Sequence, residues 1–254
     1  MADPLADLVT MSRTLGEPAH DLVILGEGNT SIRADNDTFW VKASGSQLST
    51  IQPDNFARMR FDRVLAMLEK ESYSEAELNA AYEGAKATPG DPRRPSVETV
   101  FHAACLAIPG VNAVAHTHAT AVNMLTVSKG YPQVLQGRLF PDEAVVLGLH
   151  SAFVPYIDPG VALARAIRDA IADHTKRHGG YPRAIYMQNH GVIALGRNTT
   201  EAVNITLMAA KAARIRLGAL AAGGLNLLPD STAQHIVNRP DEKYREAQLV
   251  GRKP

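Results

Sequence analysis

With 254 residues, 45% of them hydrophobic and 20% charged, the chain has the make-up of a globular protein large enough for one sizeable core. Its 26 Lys and Arg balance 26 Asp and Glu, which leaves no basic field to hold nucleic acid or an anionic membrane surface. There is no apolar run of the ~18 residues a membrane span needs and no secretory leader pattern, and the lone Cys105 cannot form an intrachain disulfide. A cytoplasmic protein with a small-molecule partner, no nucleic acid and no membrane is expected.

In chain order, Leu5, Leu8, Val9 and Leu15 have helical spacing that "GEPAHD" breaks, so a first helix over 3–17 is predicted to end near Gly16. Residues 21–51 read as short strands between turns, with "ADND" (34–37) a hairpin turn. Residues 53–70 begin extended and become helical through Val64, Leu65 and Leu68, and the polar segment after them ends in a Pro-, Gly- and charge-rich mobile loop before residue 96. "SVETVFHAACLAIPG" is a helix capped by Ser96 and stopped by Pro109-Gly110, and "VNAVAHTHA" (111–119) is a strand. Residues 119–128 form a helical turn or short helix, and 144–157 hold strand-like material.

A long helix follows, capped by Asp158 with Pro159 in its first turn and Gly179-Gly180 at its end. "AIYMQNHGVIALG" reads as two strands around a turn at 189–191, and a last long helix starts at Thr199 or Thr200. The polar tail, 225–254, is expected to order against a neighbouring subunit. Strands and helices mixed without regular alternation predict a single α/β domain over 1–254, with helices packed on a central, largely antiparallel sheet.

The chemistry concentrates in histidines. On a strand, His116 and His118 project from one face, because side chains repeat every two residues. A His-x-His pair alone is more often structural than metal-binding. His190, at the turn in "QNHGV", is the best candidate for a third ligand, and His150 in "GLHSAF" competes with it. Three imidazoles around a divalent ion leave positions open for substrate oxygens, the mark of a catalytic site. Glu98, in the first turn of the helix feeding that strand, is the candidate proton acceptor, and His102 one turn later is a partner for it. "GEGNTS" (26–31) fails as a dinucleotide fingerprint, since Ser31 takes the last glycine position and a hairpin follows. With "KASGS" (42–46), it instead offers donor-rich turns to an anion. P-loop, HExxH and G-x-S-x-G patterns are absent from the sequence.

Taken in order, "GEGNTSIR", "WVKASGSQL", "RPSVETVFHAACLAIPGVNAVAHTHAT" and "QNHGVIALG" resemble the class II aldolase/adducin family over roughly residues 5–222. That family includes fuculose- and rhamnulose-phosphate aldolases and ribulose-phosphate 4-epimerase. "GNTS" with "WVKASGS" is most similar to the aldolase part of rhamnulose-phosphate aldolases fused to a dehydrogenase, and 254 residues are too few to hold that dehydrogenase as well.

The resemblance implies a three-layer α/β/α fold with a central mostly antiparallel sheet, and a homotetramer with sites at its subunit interfaces. It implies that His116, His118 and His190 bind a divalent metal, Zn2+ first with Mn2+ or Co2+ as alternatives, and that Glu98 is the catalytic acid/base. Gly28, Asn29, Ser44, Gly45 and Ser96 would line the pocket that holds substrate phosphate.

The implied activity is a lyase reaction, cleavage of a carbon–carbon bond in a keto-sugar, sugar phosphate or sugar acid through a metal-stabilised enediolate. Alternatives are 4-epimerisation, decarboxylation or dehydration on the same site, or a non-catalytic adducin-like interaction module. The chain departs from the family at Val97, where many sugar-phosphate aldolases carry a second serine. The proton-donating tyrosine of the fuculose-type enzyme has only Tyr131 and Tyr244 as candidates. Arg138 is expected to face solvent, with contact to a substrate carboxylate as the alternative.

Overall fold

Asp3 accepts from Leu5 N and Pro4 takes the first helical turn, so helix α1 runs Pro4–Leu15 in the computed structural model, which describes residues 3–249. It stops at Gly16, where a Cβ would come within 2.3 Å of the Ser49 backbone. The expected hairpin joins β1 (Asn29–Arg33) to β2 (Thr38–Lys42), with Asp35 Oδ1 accepting from Asp37 N, Thr38 N and Thr38 Oγ1. Strand β3 (Phe56–Arg60) runs straight into α2 (Phe61–Ala66). The polar segment begins with a further helix, α3 (Glu75–Ala85), whose Ser74 and Glu77 cap each other reciprocally.

The chain continues through α4 (Thr99–Leu106), β4 (Ala113–Thr117), α5 (Thr120–Thr126), α6 (Pro141–Leu147), β5 (Ala152–Val154) and α7 (Val161–His178). It ends with β6 (Ala184–Met187), β7 (Gly191–Gly196), α8 (Thr199–Ala221), α9 (Asp230–Asn238) and α10 (Pro240–Leu249).

The seven strands form one sheet in the order β3-β2-β1-β4-β7-β6-β5, in which only β5 and β6 pair parallel. Alternation along the strands feeds two cores. Phe39, Val41, Val114, Ile193 and Leu195 face α2, α4 and α7, while Ile32, Ala115, Val192 and Ala194 face α1, α5 and α8. The result is the expected three-layer α/β/α arrangement with a mostly antiparallel sheet. Among the described residues, no helix is long and apolar enough to cross a membrane.

Several boundaries differ from their sequence signals. The cap of α4 is Glu98, with Ser96 Oγ accepting from the Glu98 N–H two residues earlier. Helix α7 starts after Gly160, and Asp158 accepts from Tyr156 Oη at 2.8 Å instead of capping it. Helix α8 is capped by Asn198, which accepts from Glu201 N, and the first half of the strand-like stretch 144–157 belongs to α6 and a loop. In the tail, α9 packs on α6 of its own chain and buries Ala233 and Ile236; residues 250–254 lie outside the described residues.

The expectation that Arg138 faces solvent is corrected: it is buried, its guanidinium donates to the Gly137 and Gly148 carbonyls and to Ser151 Oγ, and it lies on a cavity away from the histidine cluster. Tyr131 is equally committed, donating to the Val154 and Tyr186 carbonyls and accepting from Val154 N.

Candidate active site

Strand register builds the site. Asn29 on β1 and Ile193 on β7 flank His116 on β4, so the end of β4 is held between two strands. His118 follows just beyond the last residue of β4, and His190 stands at the turn entering β7, where Asn189 takes a left-handed φ of 54°. Gly191 makes room for the rings. A Cβ there would come within 2.4 Å of the Thr117 carbonyl oxygen, 3.2 Å of His118 Cδ2 and 3.3 Å of His116 Cε1. Gly28 serves the other side, with φ +67° and a Cβ position 2.7 Å from the His116 carbonyl oxygen.

Ligating atoms of His116, His118 and His190 all lie within 4.8 Å of one another. His116 is fully buried, and its Nδ1 donates to the Val192 carbonyl at 3.1 Å, which leaves the Nε2 lone pair facing the other rings. Burial pushes the His116 pKa down to about 3, and burial together with the neighbouring imidazole of His190 lowers that of His118. Both rings are therefore neutral at physiological pH, the form that binds a cation. Glu27 Oε1 stands 3.8 Å from His118 Nδ1, on the side of that ring away from His116.

Glu98 closes the cluster. Its Oε2 accepts from Asn29 Nδ2 at 2.6 Å and lies 3.5 Å from His116 Nε2, and its Oε1 lies 3.2 Å from His190 Nε2. Burial works against its charge, but His116, His190 and the Asn29 hydrogen bond outweigh burial and hold the carboxyl well below the usual range. Oε1 is buried without a hydrogen-bond partner. Three converging imidazoles are a donor set that suits a divalent ion, and the orphaned carboxylate oxygen beside them is free to exchange a proton.

A cleft of about 270 Å³ opens on this cluster and gathers Gly28, Asn29, Ser44, Gly45, Ser96, Glu98, His118 and His190 in its walls; His116 lies beneath it. The small residues differ in what they can still offer. Ser44 Oγ already donates to the Pro95 carbonyl, and the Asn29 amide is spent on Glu98 and Ser96, whereas the Ser96 hydroxyl accepts two bonds and keeps its proton to give.

Lys42 also lines the cleft, a residue that sequence reasoning passed over while reading "KASGS" for its small donors. It is buried, donates to the Gly26 carbonyl at 3.0 Å, and has no carboxylate at ion-pair distance among the described residues; burial lowers its pKa. A lysine ending an otherwise apolar strand, "FWVK", was the available signal. His150 is not in the cleft. It lies beside His174 and His178 on a separate cavity of about 690 Å³, together with Arg138.

The family model for the class II aldolase and adducin N-terminal domain matches residues 6–217, and the chain belongs to that family. Two curated relatives align in part. An "uncharacterized oxidoreductase" of Bacillus subtilis, YuxG, is 25% identical over 182 residues, which are 68% of this chain and 24% of that protein. A "probable bifunctional methylthioribose-1-phosphate isomerase/methylthioribulose-1-phosphate dehydratase" of Nocardia farcinica is 31% identical over 120 residues, 45% of this chain and 21% of that protein. The aligned residues thus span less than a quarter of either relative's length. Among solved structures, the N-terminal class II aldolase domain of a conserved Thermoplasma acidophilum protein superposes with a TM-score of 0.69 at 26% identity, covering 85% of this chain and 95% of that one. An L-fuculose 1-phosphate aldolase shares the fold with a TM-score of 0.69 at 20% identity, covering 96% of this chain and 97% of that one.

Proposed function

We propose that this member of the class II aldolase and adducin family is a divalent-metal-dependent carbon–carbon lyase acting on a hydroxylated keto-sugar or sugar acid that carries an anionic group. The observation that carries the reading is the convergence of the His116, His118 and His190 ligand atoms within 4.8 Å beside the orphaned Glu98 Oε1, at the floor of an open cleft. The histidines would hold the ion, zinc first because imidazole donors suit it. Such an ion supplies a Lewis acid that polarises a substrate carbonyl.

The chain's own residues divide the remaining work. Glu98, ionised and half-saturated by Asn29, moves the proton at the carbon that becomes part of the enediolate fragment. Lys42 and the Ser96 hydroxyl receive the anionic substituent, phosphate or carboxylate, between the turns of Gly28-Asn29 and Ser44-Gly45. A buried ammonium lacking a carboxylate partner gains most from an incoming anion, and it offsets the hydroxyl lost at Val97.

No tyrosine is among the cleft's lining residues, and Ile24, Met124 and Val127 are exposed on the side of His118. We read that apolar rim as the face that a neighbouring subunit of a cytoplasmic homotetramer covers, bringing the second proton carrier, with residues 1–254 forming one domain whose α9 stays on its own α6. The test is to load the purified protein with Zn2+, Mn2+ or Co2+ and supply phosphorylated and free keto-sugars and sugar acids. Two carbon fragments by mass support the reading, and a product of unchanged carbon number overturns it. Dehydration is the second reading, favoured by the dehydratase named for the Nocardia relative; it would appear as a loss of water with the carbon chain intact.

A further inference from the structure

Behind the proposed base Glu98, three buried polar side chains run in line. Asn29 Nδ2 donates to Glu98 Oε2 at 2.6 Å, Asn29 Oδ1 meets His102 Nε2 in a short hydrogen bond, and His102 Nδ1 meets Ser31 Oγ at 2.6 Å. Ser31 and His102 are completely buried, and Asn29 and Glu98 nearly so. Two periodicities mesh to build the row. Glu98 and His102 are four apart on the helical start of α4, and Asn29 and Ser31 are two apart on β1, opposite His116 and Val114 and on the face that α4 covers.

The direction of every bond is fixed by the end of the row. A carboxylate only accepts, so the Asn29 amide must turn its NH2 to Glu98; the flipped amide would set two acceptors 2.6 Å apart. Oδ1 then faces His102, whose Nε2 must carry the proton. Burial pushes the His102 pKa down to about 3, so the ring is neutral, its Nδ1 is an acceptor, and the Ser31 hydroxyl must donate. Stacking on Phe101, with ring centroids 4.6 Å apart, holds the imidazole plane in place.

We infer that His102 is a positioning residue for Glu98, acting through Asn29, with Ser31 selecting the imidazole tautomer. The row saturates Oε2 and fixes the carboxylate plane, which leaves Oε1 as the oxygen that works on substrate. The inference deepens the proposed lyase reading and rests on it for the role of Glu98.

The first measurement needs no variant and no substrate. In protein labelled with 15N-histidine, long-range 1H–15N correlation at neutral pH, with and without Zn2+, should show His102 neutral with its proton on Nε2. A charged ring, or a proton on Nδ1, overturns the row. The second uses a substrate the wild type turns over. His102→Leu should lower kcat by about 10–100-fold with KM and zinc stoichiometry within about two-fold. Asn29→Ala should lose at least as much, and the double variant no more than Asn29→Ala alone. Losses that add, or a loss carried by KM, show that His102 does not act through Asn29. Should His102→Leu fail to fold, Ser31→Ala replaces it, with a mixed His102 tautomer expected and an unchanged one overturning the role of Ser31. If the wild type cleaves nothing, the lyase reading fails while the tautomer still decides the hydrogen-bond row.

Discussion

His116, His118 and His190 bring their ligand atoms within 4.8 Å of one another, whereas His150 and His178 stack their rings 3.9 Å apart, with His174 tilted against His178 at 4.7 Å. Both groups hold three imidazoles and both line cavities, and the second cavity is the larger, at about 690 Å³ against about 270 Å³. The difference lies in what faces what. In the first group a carbonyl takes the far nitrogen of His116, Glu27 stands near that of His118, and a buried carboxylate oxygen without a donor sits among the rings. In the second group His174 Nδ1 donates to the Gly180 carbonyl, but His150 and His178 meet face to face, so ring planes rather than lone pairs converge. Histidine content does not make a metal site; convergent acceptors do.

The largest effect expected to test this contrast is on turnover. Glu98→Gln should cut kcat by about 10²–10⁴-fold while the protein keeps its divalent ion, read by product assay and by metal analysis of the same sample. Retention of full activity would remove Glu98 from the chemistry. Next, Gly191→Ala should push a methyl against the Thr117 carbonyl and the rings of His116 and His118, lowering stability by about 1–3 kcal/mol and bound metal below half of wild type. Denaturant unfolding and metal analysis check it, and unchanged metal content would show that the rings do not depend on that space.

A third effect is on acid stability. The unfolded His102 imidazole titrates near 6.5 and the folded one is held down to about 3, so between those values the unfolded state binds more protons. Its contribution is therefore intact above pH 6.5 and is lost as pH falls toward 3. His102→Gln should reduce the loss of stability between pH 7 and pH 5 by about 2 kcal/mol in metal-free protein, measured by urea unfolding at the two pH values. The smallest effect is expected in the other cluster. His150→Asn and His178→Asn should leave metal stoichiometry and turnover within about two-fold of wild type, and a fall in bound metal would collapse the distinction between the two groups.

Much of the fold and of the geometry of the candidate site is legible in the sequence. The apolar spacing of α1, the Asp-rich hairpin after β1 and the Gly-bounded end of α7 are local signals, and local backbone chemistry decided them. Helix α3 is less legible, because Leu78 and Tyr82 are its only large apolar residues and its one clear sign is the Ser74–Glu77 capping pair. Lys42 was passed over because a lysine closing a strand ordinarily faces water; here it is covered by a cleft built from residues far along the chain. Arg138 and Tyr131 differ from their sequence reading because folding sets carbonyls around their donors, those of Gly137 and Gly148 for Arg138 and those of Val154 on β5 and Tyr186 on β6 for Tyr131.

By itself, the sequence determined the two-residue period that aims Asn29 and Ser31 together, the helical period that aligns Glu98 with His102, and the family that unites these motifs. Only the tertiary structure decided that His190 and not His150 completes the histidine cluster, because β4–β7 register and the missing Cβ of Gly191 bring one ring in, while packing against α7 keeps the other away. Short-range periodicity is written in neighbouring residues; convergence of side chains separated by some 70 positions depends on how strands pair, and that is settled only when the whole sheet forms.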